Sequence, residues 1–314
     1  MPVSLNNAER TERMKRTRIL VAGGTGLVGK ALSRWIRRNN HKDVVEMSVL
    51  SRGHGGDVRW NELKDQRGRF DVVVNLSGSR FLDPLVMWNE TTRKEIRESR
   101  VGTAERLREF VDSDEKIRKF VQITGVGIYP YSDTATYDEN VQINRLDGDF
   151  FQNLVMDWEN ASQTTKDRTT VIRSGVVLSK DGGALKEQLL LYKLGFGTTM
   201  GQGHNFFPWI HEDDLAKMIL HAATLDGNVP VMNGVAPTTT TQSEFCHQLK
   251  RVLGRPQWFP PTGVPEFVVK LMFGGADRAN FLIKGMDVKP EAVKRSGFKF
   301  EYETVGKALE ALLG

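Results

Sequence analysis

The sequence has little cysteine, no long hydrophobic run and no large excess of charge of either sign. Cys246 is the single cysteine among 314 residues, which excludes an intrachain disulfide and favours a reducing compartment. No apolar stretch approaches the roughly 18 residues that span a bilayer, so no membrane partner is expected. The net charge of +5 is spread along the chain without basic runs interleaved with aromatics. Nucleic acid is therefore not an expected partner.

Several chemical motifs are also missing. The six histidines show neither H-x-x-x-H nor clustered Cys/His spacing, so no metal site is expected. No G-x-S-x-G nucleophile elbow occurs. Residues 1–17 are predicted to form a flexible tail, in which Glu9 and Glu12 interrupt the basic residues. Because a mitochondrial targeting peptide should be poor in acids, we expect a cytoplasmic protein, with mitochondrial import as the alternative.

Residues 18–52 have the pattern of a strand, a glycine turn, a helix and a second strand. Gly23, Gly26 and Gly29 form a G-x-x-G-x-x-G motif, after which apolar residues recur with helical period. Gly23 permits a sharp turn, Gly26 leaves room for a pyrophosphate beside the backbone, and Gly29 lets the helix pack close to the sheet. The N–H groups at the helix start favour an anion. The predicted dinucleotide contacts in this turn are Gly23, Thr25, Gly26, Leu27, Val28 and Gly29. A purely conformational glycine turn is the alternative.

The end of the second strand indicates which dinucleotide is bound. An acidic residue about 20 residues after the glycines suits the ribose 2′-hydroxyl of NAD, whereas an arginine suits a 2′-phosphate. This chain has Ser51-Arg52 there, with no adjacent carboxylate. The cofactor is therefore predicted to be NADP(H), with Arg52 on the phosphate and Ser51 hydrogen-bonding beside it. The alternative is an ordinary surface arginine.

The order of predicted elements indicates an α/β fold. Strands and helices alternate through residue 178, which predicts a Rossmann-type, doubly wound parallel sheet. One strand, at 70–78, ends in Leu76, Ser77 and Gly78, which should border the cofactor crevice. Helices are predicted at 91–111 and 150–164. The cofactor domain is placed at 18–180 and a smaller, mostly helical substrate cap at 181–314, with residues near 205–235 returning to the first domain and a turn region at 256–265.

The segment at 206–214 is a candidate for the substrate pocket. Trp209 and His211 are expected to face that pocket. Asp213 and Asp214 precede an apolar-periodic helix predicted to start at Leu215, and their expected role is to cap its N-terminus.

Eight segments together resemble the extended short-chain dehydrogenase/reductase superfamily, and most closely its atypical branch of NAD-dependent epimerase/dehydratase-like "epimerase family" proteins. They are GGTGLVG at 23–29, LSR at 50–52, NLSG at 75–78, IRESR at 96–100, DWENA at 157–161, RSGVVL at 173–178, DGGAL at 181–185 and WIHEDD at 209–214. The resemblance implies an NADP(H)-binding domain and a C-terminal cap that holds a small-molecule substrate. It assigns Arg100, which stands where extended members usually carry asparagine, and Thr124 to the cofactor site. It also makes a homodimer through helices 91–111 and 150–164 one expectation.

The sequence departs from the typical members at their catalytic pair, a tyrosine followed four residues later by a lysine. Phe151 and Val155 occupy these positions, and neither can transfer a proton. Tyr129, with Thr124 hydrogen-bonding the same oxygen, is the replacement candidate, and the alternative is that Tyr129 only packs beside the nicotinamide. The first functional hypothesis is an oxidoreductase acting on a small carbonyl or alcohol. The others are a non-catalytic NADP(H) sensor or scaffold and, third, a sugar-nucleotide epimerase or dehydratase.

Overall fold

The computed structural model describes residues 16–39, 41, 44–53, 55–79, 89–195, 197–199, 201–254, 263–272 and 276–314. Most of the predicted tail, and the predicted turn region from 256 to 262, lie outside these residues. No helix formed by the described residues is long and apolar enough to cross a membrane.

Seven parallel strands form the central sheet, in the order β10-β7-β5-β4-β1-β2-β3. They are β1 (Thr17–Ala22), β2 (Val45–Ser51), β3 (Val58–Arg59), β4 (Val72–Asn75), β5 (Lys119–Gly125), β7 (Thr169–Ser174) and β10 (Val231–Gly234). The central strands are buried on both faces, and β4 is the most apolar of them, with Val72, Val73 and Val74 fully buried. The strand order reverses between β1 and β4, so the carboxyl ends of these strands open a crevice there.

Helices cover both faces of the sheet and form most of the C-terminal part. They are α1 (Leu27–Arg38), α2 (Glu90–Arg97), α3 (Thr103–Asp112), α4 (Phe150–Ala161), α5 (Gly183–Lys193), α6 (Glu212–Thr224), α7 (Gln242–Leu253), α8 (Glu266–Met272), α9 (Ala276–Ile283), α10 (Glu291–Arg295) and α11 (Val305–Leu313). Two small parallel sheets pair β6 (Thr136–Tyr137) with β11 (Asp287–Val288) and β8 (Val176–Leu178) with β9 (Trp209–His211).

Side-chain alternation along β1 explains the three-layer arrangement. Ile19 and Val21 pack in the cluster that holds α1 and α6, whereas Leu20 and Ala22 pack in the cluster that holds α3. Successive residues of a strand point to opposite faces, so an apolar run needs a helix layer on each side. The predicted Rossmann-type α/β fold is confirmed.

Two element predictions differ from the structure. The single helix expected at 91–111 is two helices, α2 and α3, joined by a π-helical turn at Glu98–Gly102. The helix at Ala276–Ile283 was not predicted. The segment after residue 205 contributes β10 to the main sheet beside β7, in register from Val231 opposite Val171 to Gly234 opposite Ser174. The division into a cofactor domain and a cap stays a prediction.

Candidate functional site at the carboxyl edge of the sheet

The glycine turn after β1 is packed too closely for side chains. Gly23 has a φ of +78°, and a Cβ added to it would lie 2.8 Å from the backbone carbon of Leu76. A Cβ on Gly29 would lie 2.4 Å from the Cα of Gly24. Gly29 therefore packs closely against the glycine turn, whereas the sequence predicted that it would pack closely against the sheet. Glycine is required at both positions for steric reasons.

The start of α1 is open to an anion. Gly26 is the N-cap residue, it carries no side chain that could cap the helix, and the first turn has no acidic residue. The N–H groups of Leu27, Val28 and Gly29 have no partner within the helix because of their position in its first turn. Thr25 and Gly26 are exposed, and a Cβ on Gly26 would meet only the Gly23 carbonyl oxygen, at 3.2 Å. Unpaired N–H donors beside an open surface are the usual elements of a phosphate site.

Ser51 and Arg52 follow at the carboxyl end of β2, next to β1. Arg52 is exposed, and its side chain makes no ion pair or hydrogen bond with any residue that the structure describes. The Ser51 hydroxyl accepts a hydrogen bond from the Gly53 N–H at 3.2 Å, which orders the turn after the strand. Arg52 is thus available for an external anion.

Arg100 lies in the π-helical turn and supports the segment that follows β4. Its Nη2 donates to the Ser79 carbonyl oxygen at 2.8 Å, and its guanidinium lies over the Trp158 ring at 5.4 Å. A Cβ on Gly78 would be 3.3 Å from Nη2, so glycine leaves room for this contact. Burial lowers the pKa of Arg100 to about 10, and the side chain stays charged at neutral pH. The structure shows Arg100 positioning residues 78–79, while its predicted contact with the cofactor stays a prediction.

Thr124 belongs to a buried ionic network that the sequence analysis did not identify. Its hydroxyl donates to Glu159 Oε1 at 3.0 Å, and Arg173 holds the same carboxylate with two hydrogen bonds of 2.9 and 2.8 Å. All three residues are at most 8% exposed. They join the ends of β5 and β7 to α4, close to the crevice.

Tyr129 is the other hydroxyl of this network. Arg173 Nη1 donates to its oxygen at 2.9 Å, and the hydroxyl lies 2.9 Å from Asn233 Oδ1 and 3.1 Å from the Asp138 carbonyl oxygen. The residue is 1% exposed, and its ring stacks on Tyr137. Burial raises the pKa of Tyr129 despite the neighbouring Arg173. A satisfied, buried phenol fits the packing alternative better than the catalytic role.

Phe151 and Val155 both lie on α4, a helix that contains neither tyrosine nor lysine; their correspondence to the usual catalytic pair stays a prediction. Phe151 is 6% exposed, and Val155 packs against the cluster that contains Tyr129. Glu159 follows Val155 by four residues, so it lies on the same helix face. Two signals could have revealed the network. One is an arginine in β7, a strand that is otherwise uncharged, and the other is a glutamate four residues after Val155 in α4.

Trp209 and His211 are both buried. Trp209 lines a small cavity beside Val235 and Met286, and the expected place of the two residues in a substrate pocket stays a prediction. Trp209 is 1% exposed, and its Nε1 donates to Thr240 Oγ1 at 3.0 Å. His211 is 3% exposed and stacks on Tyr302 with 3.7 Å between ring centroids. Trp209 belongs to a different apolar cluster from Tyr129.

The N-terminus of α6 also differs from the prediction. The helix begins at Glu212, and its cap is His211, whose Nδ1 accepts a hydrogen bond from the Asp213 N–H at 3.0 Å. The two aspartates have other partners. Asp213 pairs with Arg38 at 2.6 Å, and Asp214 accepts backbone N–H groups of Glu301 and Tyr302, each at 2.9 Å. Both carboxylates lie in the first turn, where their negative charge interacts favourably with the positive end of the helix dipole.

His211 should make the protein less stable in acid. Burial lowers its pKa from 6.5 to about 4, so the unfolded chain binds the proton more readily than the folded one. Stability from this group is complete above pH of about 6.5 and is lost as the pH falls towards 4, by up to roughly 3 kcal/mol. In the His211→Asn variant, asparagine keeps a capping side chain but does not titrate. Urea denaturation from pH 7.5 to 4.5 should show a shallower fall for the variant, and parallel curves would contradict the assignment.

Two open clefts of about 370 Å³ each lie away from the carboxyl edge. One is at the amino edge of the sheet and is lined by Arg118, Lys119 and residues 223–228 among others. The other lies between α2–α3 and α4, with Arg97, Arg108 and Asp157 in its walls. Neither contains a predicted site residue. Among the described residues, no group of three or more His, Cys, Asp or Glu side chains could hold a metal ion.

The chain is similar to known proteins over nearly its whole length. Residues 19–147 match the NAD dependent epimerase/dehydratase family, and residues 264–312 match a domain of unknown function, DUF1731. The bovine epimerase family protein SDR39U1 is 39% identical over 302 residues, covering 94% of this chain and 99% of the relative. The human protein of that name is 39% identical over 301 residues, with the same coverage of both chains.

A solved structure extends the comparison to three dimensions. The crystal structure of human epimerase family protein SDR39U1 (isoform 2) with NADPH has a TM-score of 0.87 and 38% sequence identity. The match covers 95% of this chain and 99% of the human one. The predicted resemblance is confirmed: the chain belongs to the NAD-dependent epimerase/dehydratase family, in its group of SDR39U1-like epimerase family proteins.

Proposed function

We propose that this protein binds NADP(H) across the carboxyl edge of the sheet. The observation that carries the proposal is the open N-terminus of α1, set against a turn with no room for a Cβ at Gly23 or Gly29. The N–H groups of residues 27–29 would hold the pyrophosphate. Arg52 would pair with the 2′-phosphate, and Leu76, Ser77 and Gly78 would border the other half of the cofactor. The human relative crystallised with NADPH supports the same choice.

The side chains that could transfer a proton near the bound cofactor favour a non-catalytic NADP(H) sensor or scaffold over an enzyme. Bound nicotinamide would supply hydride transfer, which in a carbonyl–alcohol reaction also requires a proton donor or acceptor. Phe151 and Val155 cannot provide it, and the hydroxyls of Thr124 and Tyr129 already make hydrogen bonds inside the protein. The second candidate is an oxidoreductase on a small carbonyl or alcohol, which the family membership supports. Turnover of such a substrate that is lost in Tyr129→Phe, with cofactor affinity retained, would overturn the sensor proposal.

The cofactor proposal predicts a selective effect of Arg52→Ala. NADPH affinity should fall roughly 10- to 100-fold, because a charge-assisted hydrogen bond to a phosphate is lost, and NADH affinity should stay nearly constant. Energy transfer from tryptophan to the reduced nicotinamide measures both affinities. Arg37→Ala is the matched control, since Arg37 is exposed and its hydrogen bonds to the described part of the chain go to Ser33, in its own helix. Equal binding of the two nucleotides by the wild type would refute NADP(H) selectivity.

Location and assembly are further proposals. The single cysteine, which is buried, suits a reducing compartment, for which we propose the cytoplasm. A homodimer would use the outer faces of α2–α3 and α4. Light scattering of the purified protein tests the dimer directly.

A further inference from the structure

The hydrogen of the Thr124 hydroxyl has a fixed direction. Its acceptor is Glu159 Oε1, at 3.0 Å, and an ionised carboxylate can only accept. Arg173 occupies the same carboxylate from the other side through Nε and Nη2, at 2.9 and 2.8 Å. Arg173 and Glu159 thus form a bidentate, charge-assisted ion pair. Thr124 is therefore the donor in this contact, and its oxygen has only lone pairs left for any other partner.

Thr124 stands where the second half of a dinucleotide would lie. In the register of β4 with β5, Asn75 is opposite Gln122, so Thr124 extends two residues beyond the last paired residue of β4. The strands β4, β5 and β7 form the half of the sheet on the far side of the strand-order reversal from Arg52. A dinucleotide spans both halves. With the 2′-phosphate on the Arg52 side, the nicotinamide lies on the side of Thr124.

The other hydroxyl of the network does not compete for this role. Tyr129 is held by Arg173, Asn233 and the Asp138 carbonyl group, and it is 1% exposed. Thr124 is 5% exposed and lies at the strand end nearer to β4. It is therefore the member of the network better placed to contact a ligand in the crevice.

We propose that Thr124 is a cofactor-orienting residue that accepts a hydrogen bond from the carboxamide N–H of the nicotinamide. Glu159, held by Arg173, is the positioning residue that sets this polarity. The inference rests on the proposed NADP(H) binding. It adds a directional contact that distinguishes the amide from an acceptor-only group of similar shape.

The test compares NADPH with its reduced 3-acetylpyridine analogue, in which a methyl group replaces the amide NH₂. The wild type should bind NADPH roughly three- to tenfold more tightly than the analogue, the range expected for one neutral hydrogen bond. Thr124→Val keeps the shape of the side chain but removes the acceptor, so the ratio of the two affinities should approach one. Thr124→Ser should restore the wild-type ratio.

A second variant tests the role of Glu159. Replacing the ion pair by apolar residues, Glu159→Leu with Arg173→Met, frees the Thr124 hydrogen to donate to the acetyl oxygen. The preference for NADPH should then fall below that of the wild type. If Glu159 were merely structural, both affinities would change by the same factor and the ratio would persist.

Binding of 2′,5′-ADP separates the two proposals, because this probe carries the phosphate bound by Arg52 but no nicotinamide. Its affinity should be the same in the wild type and in every Thr124 variant. Failure of both 2′,5′-ADP and NADPH to bind the wild type would reject the proposed function. Normal binding of both, with an affinity ratio that Thr124→Val leaves unchanged, would reject the contact proposed here.

Discussion

Replacing Arg173 by methionine is expected to lower the free energy of unfolding by about 3–5 kcal/mol. The change leaves the Glu159 carboxylate, which is 8% exposed, without its two hydrogen bonds from the guanidinium. The Tyr129 oxygen loses a donor at the same time. A buried charge without its counter-ion is among the largest single-residue penalties known, since the desolvation cost is no longer offset. Urea denaturation followed by circular dichroism measures the effect.

The double variant Glu159→Leu with Arg173→Met is the control for this prediction. Removing both charges together eliminates the desolvation cost as well as the attraction, so its stability should lie within about 2 kcal/mol of the wild type. A double variant as unstable as the single one would show that the hydrogen bonds to Thr124 and Tyr129, and not the charge balance, dominate the energetics of the network.

Gly29→Ala is expected to cost about 3 kcal/mol or more and to abolish NADPH binding. The added Cβ would lie 2.4 Å from the Cα and the carbonyl oxygen of Gly24. Backbone atoms cannot rotate away as a side chain can, so α1 must move relative to the turn. The N–H groups at the helix start move with it. Urea denaturation and tryptophan energy transfer from the same protein preparation measure the two effects.

Gly26→Ala should separate binding from stability. Gly26 has a φ of −75°, which any residue adopts, and its added Cβ would meet only one atom, at 3.2 Å. The unfolding free energy should change by less than about 1 kcal/mol, whereas NADPH affinity should fall because the methyl group covers the exposed N–H groups. If Gly26→Ala bound NADPH as tightly as the wild type, the phosphate would have to lie elsewhere.

Much of the fold could be predicted because it depends on local patterns. The apolar runs of β1 and β4 indicate buried strands, and the patterns after Gly26 and Gln242 indicate helices. The break between α2 and α3 could not be seen, because a π-helical turn changes the hydrogen-bond register without a sequence signature of its own, and a single glycine such as Gly102 is tolerated inside a helix. The cap of α6 was missed for a related reason. His211 is an uncommon capping residue, whereas the aspartates that follow it are among the preferred ones.

The candidate site likewise contains some residues that the sequence could predict and others that it could not. Gly23, Gly26 and Gly29 are recognisable because their spacing along the chain is itself the geometry of the turn. Arg52 is recognisable because it follows a strand at a fixed distance from them. Glu159 and Arg173 are 14 residues apart, on a helix and a strand. No local pattern shows that they meet, or that Thr124 and Tyr129 bond to them.

The sequence by itself determined the parallel α/β architecture and the glycine turn, and its resemblance to the family predicted the loss of the tyrosine–lysine pair. These features depend on residue patterns along the chain, such as the spacing of the glycines and the alternation of strands and helices. Only the tertiary structure decided that Trp209 and His211 are buried, that Tyr129 is satisfied, and that Thr124 donates its hydrogen to Glu159. These properties depend on which elements pack together, since a hydrogen bond joins atoms that are close in space regardless of their separation along the chain.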